Sequence, residues 1–203
     1  RLVGSEMCIR DSPNHVKRIK ELVNDGFYDG IKFHRVIENF MIQGGGFDKN
    51  MMQKKTNDPI KNESNNGLKN KPYTLAMART NDPHSATSQF FINLKDNDFL
   101  DKKNAPDGWG YCVFGEVTEG IEIVENIGTV ATGDKAGHGD VPIDTVIIEN
   151  VEVIEILVKP GDMIKENDPI VTIESDKSSV ELPSTTSGRI DNINVKVGDK
   201  VSK

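Results

Sequence analysis

Short runs of β-branched and aromatic residues, set apart by glycine-rich turns, recur along most of the chain and constrain its fold more than any other feature. They predict strands at 33–37, 40–43, 73–78, 88–94, 111–117 and 145–153. Helical spacing of apolar residues is confined to two stretches. The first begins at Ser12-Pro13, which reads as an N-cap followed by a first-turn proline, and the second covers 120–127. Many short strands with only two helices favour a closed barrel or a sandwich.

Polar and glycine-rich stretches between these elements are interpreted as connections. The segment 47–71 is rich in Asn and Lys and predicts a long, solvated surface loop. The triplet 44–46 reads as a tight bend, because the Lys-Ser/Thr of a phosphate-binding loop is missing there. The scattered glycines from 128 to 139 are also predicted to lie in a loop.

Composition excludes several classes of function. A length of 203 residues allows one ordinary domain and a small second one. The net charge of −7, without a dense Lys/Arg stretch, argues against nucleic acid as a partner. No apolar run approaches the ~20 residues of a membrane span. Cys8 and Cys112 lack metal-ligand or disulfide-framework spacing and predict reduced thiols in the cytoplasm. The four histidines share no metal-binding spacing, so no metal site is predicted.

The residue pattern divides the chain into three parts. Residues 1–11 resemble a translated cloning adapter and are predicted to be a foreign segment, followed by a main domain over 12–154. In 155–203 the segment 158–164 is echoed by 195–201, and two apolar runs between them predict a hairpin with Lys177 near its tip. This third part is predicted to be a partial domain.

Alternation along the strands separates a core face from a candidate binding face. In the strand 88–94 the core face consists of Phe90, Ile92 and Leu94. The opposite face consists of Gln89, Phe91 and Asn93. An aromatic ring between amides predicts an outward groove for a polar chain with an apolar side group. Met41 and Gln43 share a face of similar character, and Arg35 lies on the neighbouring strand. From spacing alone, an ordinary surface arginine is the more frequent reading of Arg35.

Several motifs taken together resemble the cyclophilin family of peptidyl-prolyl isomerases. They are 33–45 (FHRVIENFMIQGG), 62–68 (NESNNGL), 75–80 (LAMART), 88–92 (SQFFI), 99–101 (FLD) and 113–115 (VFG). The similarity extends over almost all of 12–154 and is closest to cytoplasmic bacterial members. It implies a mainly β protein with an eight-stranded closed barrel and two flanking helices. The hairpin that opens the family's barrel has no recognisable counterpart in 1–11.

The resemblance implies an enzyme that accelerates rotation about X-Pro bonds in peptides and unfolded proteins, without a cofactor. Arg35 matches the family's catalytic arginine. The positions that match its substrate-binding residues are Phe40, Met41, Gln43, Ala78, Arg79, Gln89, Phe91, Phe99, Leu100 and Tyr111. Phe99 stands where the family has tryptophan, and Tyr111 stands where it has histidine. A monomer acting without nucleic acid or membrane is expected.

The segments 158–162 (VKPGD) and 174–178 (ESDKS) resemble the lipoyl/biotinyl-attachment domain. This resemblance implies a truncated all-β hairpin sandwich, with Lys177 at the position that carries lipoate. Two alternatives to isomerase activity therefore stay open. One is a proline-peptide binding or chaperone module without turnover. The other is a lipoyl-carrier fragment of a 2-oxoacid dehydrogenase complex.

Overall fold

A computed structural model describes residues 3–7, 11–151, 154–156, 159–175 and 178–192. These ranges contain two helices, α1 (Pro13–Asn24) and α2 (Ile121–Gly128). The strands are β1 (Gly4–Met7), β2 (Ile31–Lys32), β3 (Arg35–Ile37), β4 (Met41–Gly44), β5 (Thr74–Met77), β6 (Phe90–Asn93), β7 (Val113–Glu119), β8 (Thr132–Lys135), β9 (His138–Pro142), β10 (Ile147–Ile148), β11 (Ile154–Ile156), β12 (Met163–Ile164), β13 (Pro169–Ser175), β14 (Ser178–Pro183) and β15 (Gly188–Arg189). Two 3-10 turns cover Ser64–Asn66 and Asp98–Leu100. The prediction of a mainly β chain with two helices is confirmed.

The largest sheet has six antiparallel strands in the order β1-β7-β5-β6-β4-β3. A separate pair joins β10 to β2, and a third group of strands, β8 and β9, forms a hairpin that packs against β3. Residues 4–7, which belong to the segment predicted to be foreign, form the edge strand β1 and pair with β7.

The six-stranded sheet is covered on both faces. On one face, Val36, Ile42 and Ile92 belong to a buried cluster that packs against α2. On the other face lies a second buried cluster, which includes Phe91. The prediction that this face points outward is wrong for two of its residues: Phe91 is only 4% exposed and Asn93 is fully buried. The cause is the segment after β6, which folds back over this face and places its own apolar residues there.

Helix α1 confirms the predicted first-turn proline, but its N-terminus is capped by a distant residue. Ser12 makes no side-chain cap bond, and its hydroxyl donates instead to the Val113 carbonyl (2.8 Å). The Glu63 carboxylate accepts the backbone N–H groups of Asn14 and His15, at 3.1 Å each. A carboxylate at this position accepts hydrogen bonds from free amides, and its negative charge interacts favourably with the positive end of the helix dipole.

The prediction of a loop over 128–139 is wrong, because this region contributes to the β8–β9 hairpin. Its two turn residues, Ala136 and Gly137, both have positive φ (53° and 80°), as a two-residue type I′ turn requires. Ala-Gly is a weaker signal for this turn than Asn-Gly, and the flanking residues are mostly polar, so the sequence pattern did not reveal the hairpin.

The segment 47–71 is a long connection as predicted, yet part of it is not solvated. Asn62, Ser64 and Asn70 are buried, and each forms a hydrogen bond with the segment 101–110. Lys54 also contributes to packing, since its ammonium lies 4.6 Å from the centre of the Phe27 ring. Composition alone predicted exposure, whereas these amides serve as internal hydrogen-bonding groups.

The C-terminal part contains the predicted hairpin, in which β13 and β14 pair from Pro169↔Pro183 to Ser175↔Ser178. Strand β11 extends this sheet, and β12 pairs with β15. Lys177, Cys8 and the second repeat copy at 195–201 lie outside the described residues. Neither described helix has the length and apolar character needed to cross a membrane.

Candidate functional site

One cross-strand row places the predicted site residues side by side. Arg35 on β3 is the register partner of Gln43 on β4, and Gln43 is the partner of Phe91 on β6. The row continues from Phe91 to Ala76 on β5 and from Ala76 to Val113 on β7. Because directly opposed residues in an antiparallel sheet point to the same face, the charged, amide and apolar groups form one continuous surface.

The centre of this surface is an apolar cluster. Its buried members are Met41, Ala76, Phe91, Leu100 and Val113, and the partly buried residues packed against them are Ile37, Phe40, Leu68, Ala78 and Tyr111. The Tyr111 ring meets the Phe91 ring edge-on, with 5.6 Å between their centroids. At the rim, Phe40 and Phe99 stack at 5.8 Å, and the Phe99 side chain stays 49% exposed.

Two glutamine side chains lie next to the cluster. Gln43 Nε2 donates to Gln89 Oε1 at 3.0 Å, and the Gln89 carbonyl accepts the Ala78 N–H at 2.9 Å. Gly46 is required for this arrangement, because a Cβ there would lie 2.6 Å from the Gln89 amide. The glycine triplet thus leaves the room that the glutamine occupies, in addition to forming the predicted bend.

The Arg35 side chain lies at the edge of the row and is 45% exposed. Its Nε donates to Asp140 Oδ2 on β9, at 3.4 Å, and the Asp140 side chain is 46% exposed. A guanidinium keeps its charge at any physiological pH and carries five N–H donors in a fixed plane. This pair is called the cationic edge below.

Arg79, predicted as a substrate-binding position, uses its side chain to hold the segment that carries Tyr111. Its guanidinium lies 4.5 Å from the Tyr111 ring centroid, donates to the Gly110 carbonyl at 3.0 Å and pairs with Asp107. Hydrogen bonds from the Gly110 and Trp109 amides, followed by Arg79, lower the pKa of Asp107 to about 2. Asp107 is therefore charged at neutral pH, and it holds the loop 107–110 by accepting the Trp109 and Gly110 amides.

A buried network of amides supports the cluster from below, and the sequence reasoning did not identify it. Asn97 Nδ2 donates to the Phe40 carbonyl at 3.0 Å and to Asn93 Oδ1 at 2.7 Å. Asp101 Oδ1 accepts the Asn70 N–H at 2.8 Å, next to Leu100. The main-chain positions of Phe40 and Leu100 are therefore fixed by groups that are themselves buried.

His34 directly precedes Arg35 in the sequence and is buried. Burial, reinforced by the nearby positive charges of His138, Lys32 and Arg35, lowers its pKa to about 4, so its ring is neutral at physiological pH. Its ring lies 4.7 Å from that of Phe47. Among the described residues, no group of three or more His, Cys, Asp or Glu side chains could hold a metal ion.

A shallow surface depression of about 410 Å³ lies next to the cluster, and Leu68 is the residue that belongs to both. Its lining contains three lysines, of which Lys69 pairs with Asp101 at 3.3 Å. The apolar and amide groups of the row lie outside it, so this depression is not part of the candidate site.

Comparisons with known proteins identify relatives of this chain. Residues 4–153 match the family model of the cyclophilin type peptidyl-prolyl cis-trans isomerases. A peptidyl-prolyl cis-trans isomerase of Streptomyces antibioticus is 56% identical over 150 residues, covering 73% of this chain and 90% of that protein. Peptidyl-prolyl cis-trans isomerase B of Escherichia coli K12 is 57% identical over 145 residues, covering 71% and 88%.

A solved structure gives the same result. The crystal structure of a cyclophilin type peptidyl-prolyl cis-trans isomerase of Cryptosporidium parvum, determined in the presence of the dipeptide Ala-Pro, superposes with a TM-score of 0.59. It is 25% identical and covers 73% of this chain and 89% of that one. The chain therefore belongs to the cyclophilin-type peptidyl-prolyl cis-trans isomerases, which are enzymes. A second family model, described as biotin-requiring enzyme, matches residues 139–203.

Proposed function

We propose that this chain accelerates rotation about X-Pro bonds in peptides and folding proteins, with Arg35 as the catalytic group and the apolar cluster as the proline site. The observation that carries the proposal is the register of Arg35, Gln43 and Phe91 in one row. It places a permanent cation, an amide and an apolar group on three adjacent strands, facing the same side of the sheet.

The reaction explains why such a site is sufficient. Amide resonance sets a barrier of ~18–20 kcal/mol to rotation, and no covalent bond has to break. The enzyme must therefore bind the twisted amide better than either planar isomer. A nucleophile, a metal or an acid–base pair is not required for this chemistry.

Each part of the site has a task in this proposal. The proline ring packs against Phe40, Met41, Phe91 and Leu100, with Phe99 and Tyr111 at the rim. Gln43 and Gln89, together with the backbone at Ala78 and Arg79, hold the substrate main chain. Support for proline binding comes from the Cryptosporidium parvum relative, whose crystal structure was determined in the presence of Ala-Pro.

Arg35 lowers the barrier by stabilising the twisted bond. When the amide twists, the lone pair of the prolyl nitrogen leaves conjugation and becomes able to accept a hydrogen bond. A guanidinium N–H donates to that nitrogen only in the twisted geometry, so the interaction favours the transition state over both ground states.

Substitution of Arg35 tests this role. We expect Arg35→Ala to lower kcat on an Ala-Pro peptide roughly 10²-fold, as the loss of one preorganised donor does in other enzymes. Arg35→Lys keeps the charge without the planar fork and should recover only part of the rate. NMR exchange spectroscopy measures kcat and peptide affinity separately. Unchanged turnover in Arg35→Ala would refute the mechanism, and peptide binding without turnover in the unsubstituted chain would favour the non-catalytic binding module.

We also propose that the six-stranded sheet and the strands β2 and β10 form the family's closed barrel. Ile31 and Ile148, which are register partners in the β2–β10 pair, both pack against the buried apolar residues around α1. Closure would leave no unpaired edge in this part of the molecule. A cytoplasmic location and a monomeric state remain predictions from the sequence.

A carrier function for the C-terminal part is a second candidate, supported by the match of 139–203 to the biotin-requiring enzyme model and by the β13–β14 hairpin. Lys177, which comes between β13 and β14 in the sequence, would carry lipoate. Intact-mass measurement after expression with lipoate tests this, with Lys177→Arg as the control. An unchanged mass in the unsubstituted chain would reject it. The division into 1–11, 12–154 and 155–203 likewise stays a proposal.

A further inference from the structure

We propose that Asp140 is a positioning residue, whose carboxylate fixes Arg35 at Nε and leaves the two terminal nitrogens of the guanidinium directed to the substrate. This inference rests on the proposed catalytic role of Arg35. It concerns a residue outside the predicted site, on a hairpin that the sequence pattern assigned to a loop.

The geometry of the ion pair selects one side of the guanidinium. Asp140 Oδ2 accepts from Nε at 3.4 Å, and among the described residues this is the only hydrogen bond found for the Arg35 guanidinium. Nη1 and Nη2 therefore keep their four N–H donors. A carboxylate that gripped both terminal nitrogens would instead compete with the substrate for the same donors.

The backbone of Asp140 adopts an uncommon conformation at this point of the strand. Asp140 has φ +60° although it lies within strand β9, and aspartate is one of the few non-glycine residues that adopt this left-handed region. The next residues, Val141 and Pro142, are buried and anchor the strand. At its other end the type I′ turn at Ala136 and Gly137 closes the hairpin. Asp140 thus lies between the turn and the buried end of the strand, and its carboxylate contacts Arg35 on β3.

The expected benefit is kinetic. A free arginine side chain loses about 2 kcal/mol of rotamer entropy when it is fixed. Because the ion pair at Nε already restricts the Arg35 side chain in the free enzyme, part of this cost is not incurred when substrate binds. An ion pair with both partners almost half exposed contributes little to folding. Removal of the carboxylate should therefore slow turnover and leave stability nearly unchanged.

Asp140→Asn tests the proposal without disturbing the backbone, because Asn also tolerates the left-handed conformation. We expect kcat on an Ala-Pro peptide to fall roughly fivefold, with KM and Tm nearly unchanged. The Arg35 Nε–H resonance should shift and exchange faster with water. Asp134→Asn on β8 of the same hairpin is the matched control and should change neither quantity.

A double-mutant cycle with Arg35→Lys decides whether Asp140 acts through Arg35. The fivefold effect of Asp140→Asn should shrink to less than twofold in the Arg35→Lys background. An equal loss in both backgrounds, an unchanged kcat or an increased kcat in Asp140→Asn would overturn the inference. If Arg35→Ala and Arg35→Lys are themselves fully active, the proposed catalytic role of Arg35 fails; if they lose activity while Asp140→Asn does not, only this inference fails.

Discussion

The apolar cluster and the cationic edge are neighbours on one sheet face, but they are built differently. Phe91 in the cluster is 4% exposed and rests on a buried amide network, whereas Arg35 at the edge is 45% exposed and is held by one ion pair. A buried surface that many contacts hold in position suits recognition of a rigid ring. A half-exposed cation suits a group that must meet the substrate only as its amide twists. Binding and turnover should therefore respond to different substitutions.

The largest expected effect is the removal of a buried ring from the cluster. Phe91→Ala should lower the free energy of unfolding by about 3–5 kcal/mol, because it leaves a cavity between β6 and Tyr111. Denaturant unfolding measures this loss. Phe99→Ala, a matched change at the exposed rim, should cost less than about 1 kcal/mol. Equal losses in the two variants would remove the distinction between cluster and rim.

Acid should weaken the fold through a residue beside the cationic edge. The pKa of His34 is about 4 when folded, against an ordinary value of 6.5. Between these pH values the unfolded chain binds the extra proton and the folded chain does not. The stability is fully present above pH 6.5 and falls by about 3 kcal/mol as the pH drops towards 4.

Denaturant unfolding at several pH values checks this prediction, with His34→Gln as the comparison. As the pH falls, the free energy of unfolding of the unsubstituted chain should decrease more than that of His34→Gln, because the substituted side chain cannot titrate. His15, whose pKa is also lowered by burial, is present in both proteins and cancels in the comparison. Parallel curves for the two proteins would rule out His34 as the cause.

A smaller effect is expected where Arg79 and Asp107 hold the Tyr111 segment. Asp107→Asn removes the charge that accepts two backbone amides and pairs with Arg79, which should cost about 1 kcal/mol because the site is partly exposed. KM for an Ala-Pro peptide should rise a few-fold while kcat is retained. Asp98→Asn on the neighbouring 3-10 turn serves as the control. A fall in kcat at constant KM would show that this loop takes part in turnover and not in binding.

The smallest effect is expected at the rim itself. Phe99 stacks on Phe40 at the exposed rim, so Phe99→Trp should add contact area for a residue next to the proline. We expect KM to fall about twofold, with no change in kcat, in the same NMR exchange assay. A change in kcat alone would place Phe99 with the cationic edge.

The sequence located the strands that carry the site because their alternation is strong. In β4 and β6 the apolar residues of one face alternate with Gln43 and Phe91 of the other, and both strands were found within two residues of their ends. What it did not locate depends on long-range contacts. The burial of Asn93 and Asn97 follows from partners far along the chain, and no local pattern marks a buried asparagine.

The β8–β9 hairpin was not found for a related reason. Its strands lie at the surface with mostly polar side chains, so the apolar alternation that predicts a strand is nearly absent. Asp140 consequently had no assigned place next to Arg35. The cap of α1 by Glu63 was likewise beyond a local reading, since the capping residue follows the helix by about forty residues.

A crystal structure of this chain with the dipeptide Ala-Pro tests the central claim most directly. The account predicts the proline ring against Phe91 and Leu100, and a terminal guanidinium nitrogen of Arg35 about 3 Å from the prolyl nitrogen or its neighbouring carbonyl. A proline ring bound away from the apolar cluster, or Arg35 directed away from a dipeptide that does occupy it, would contradict the account.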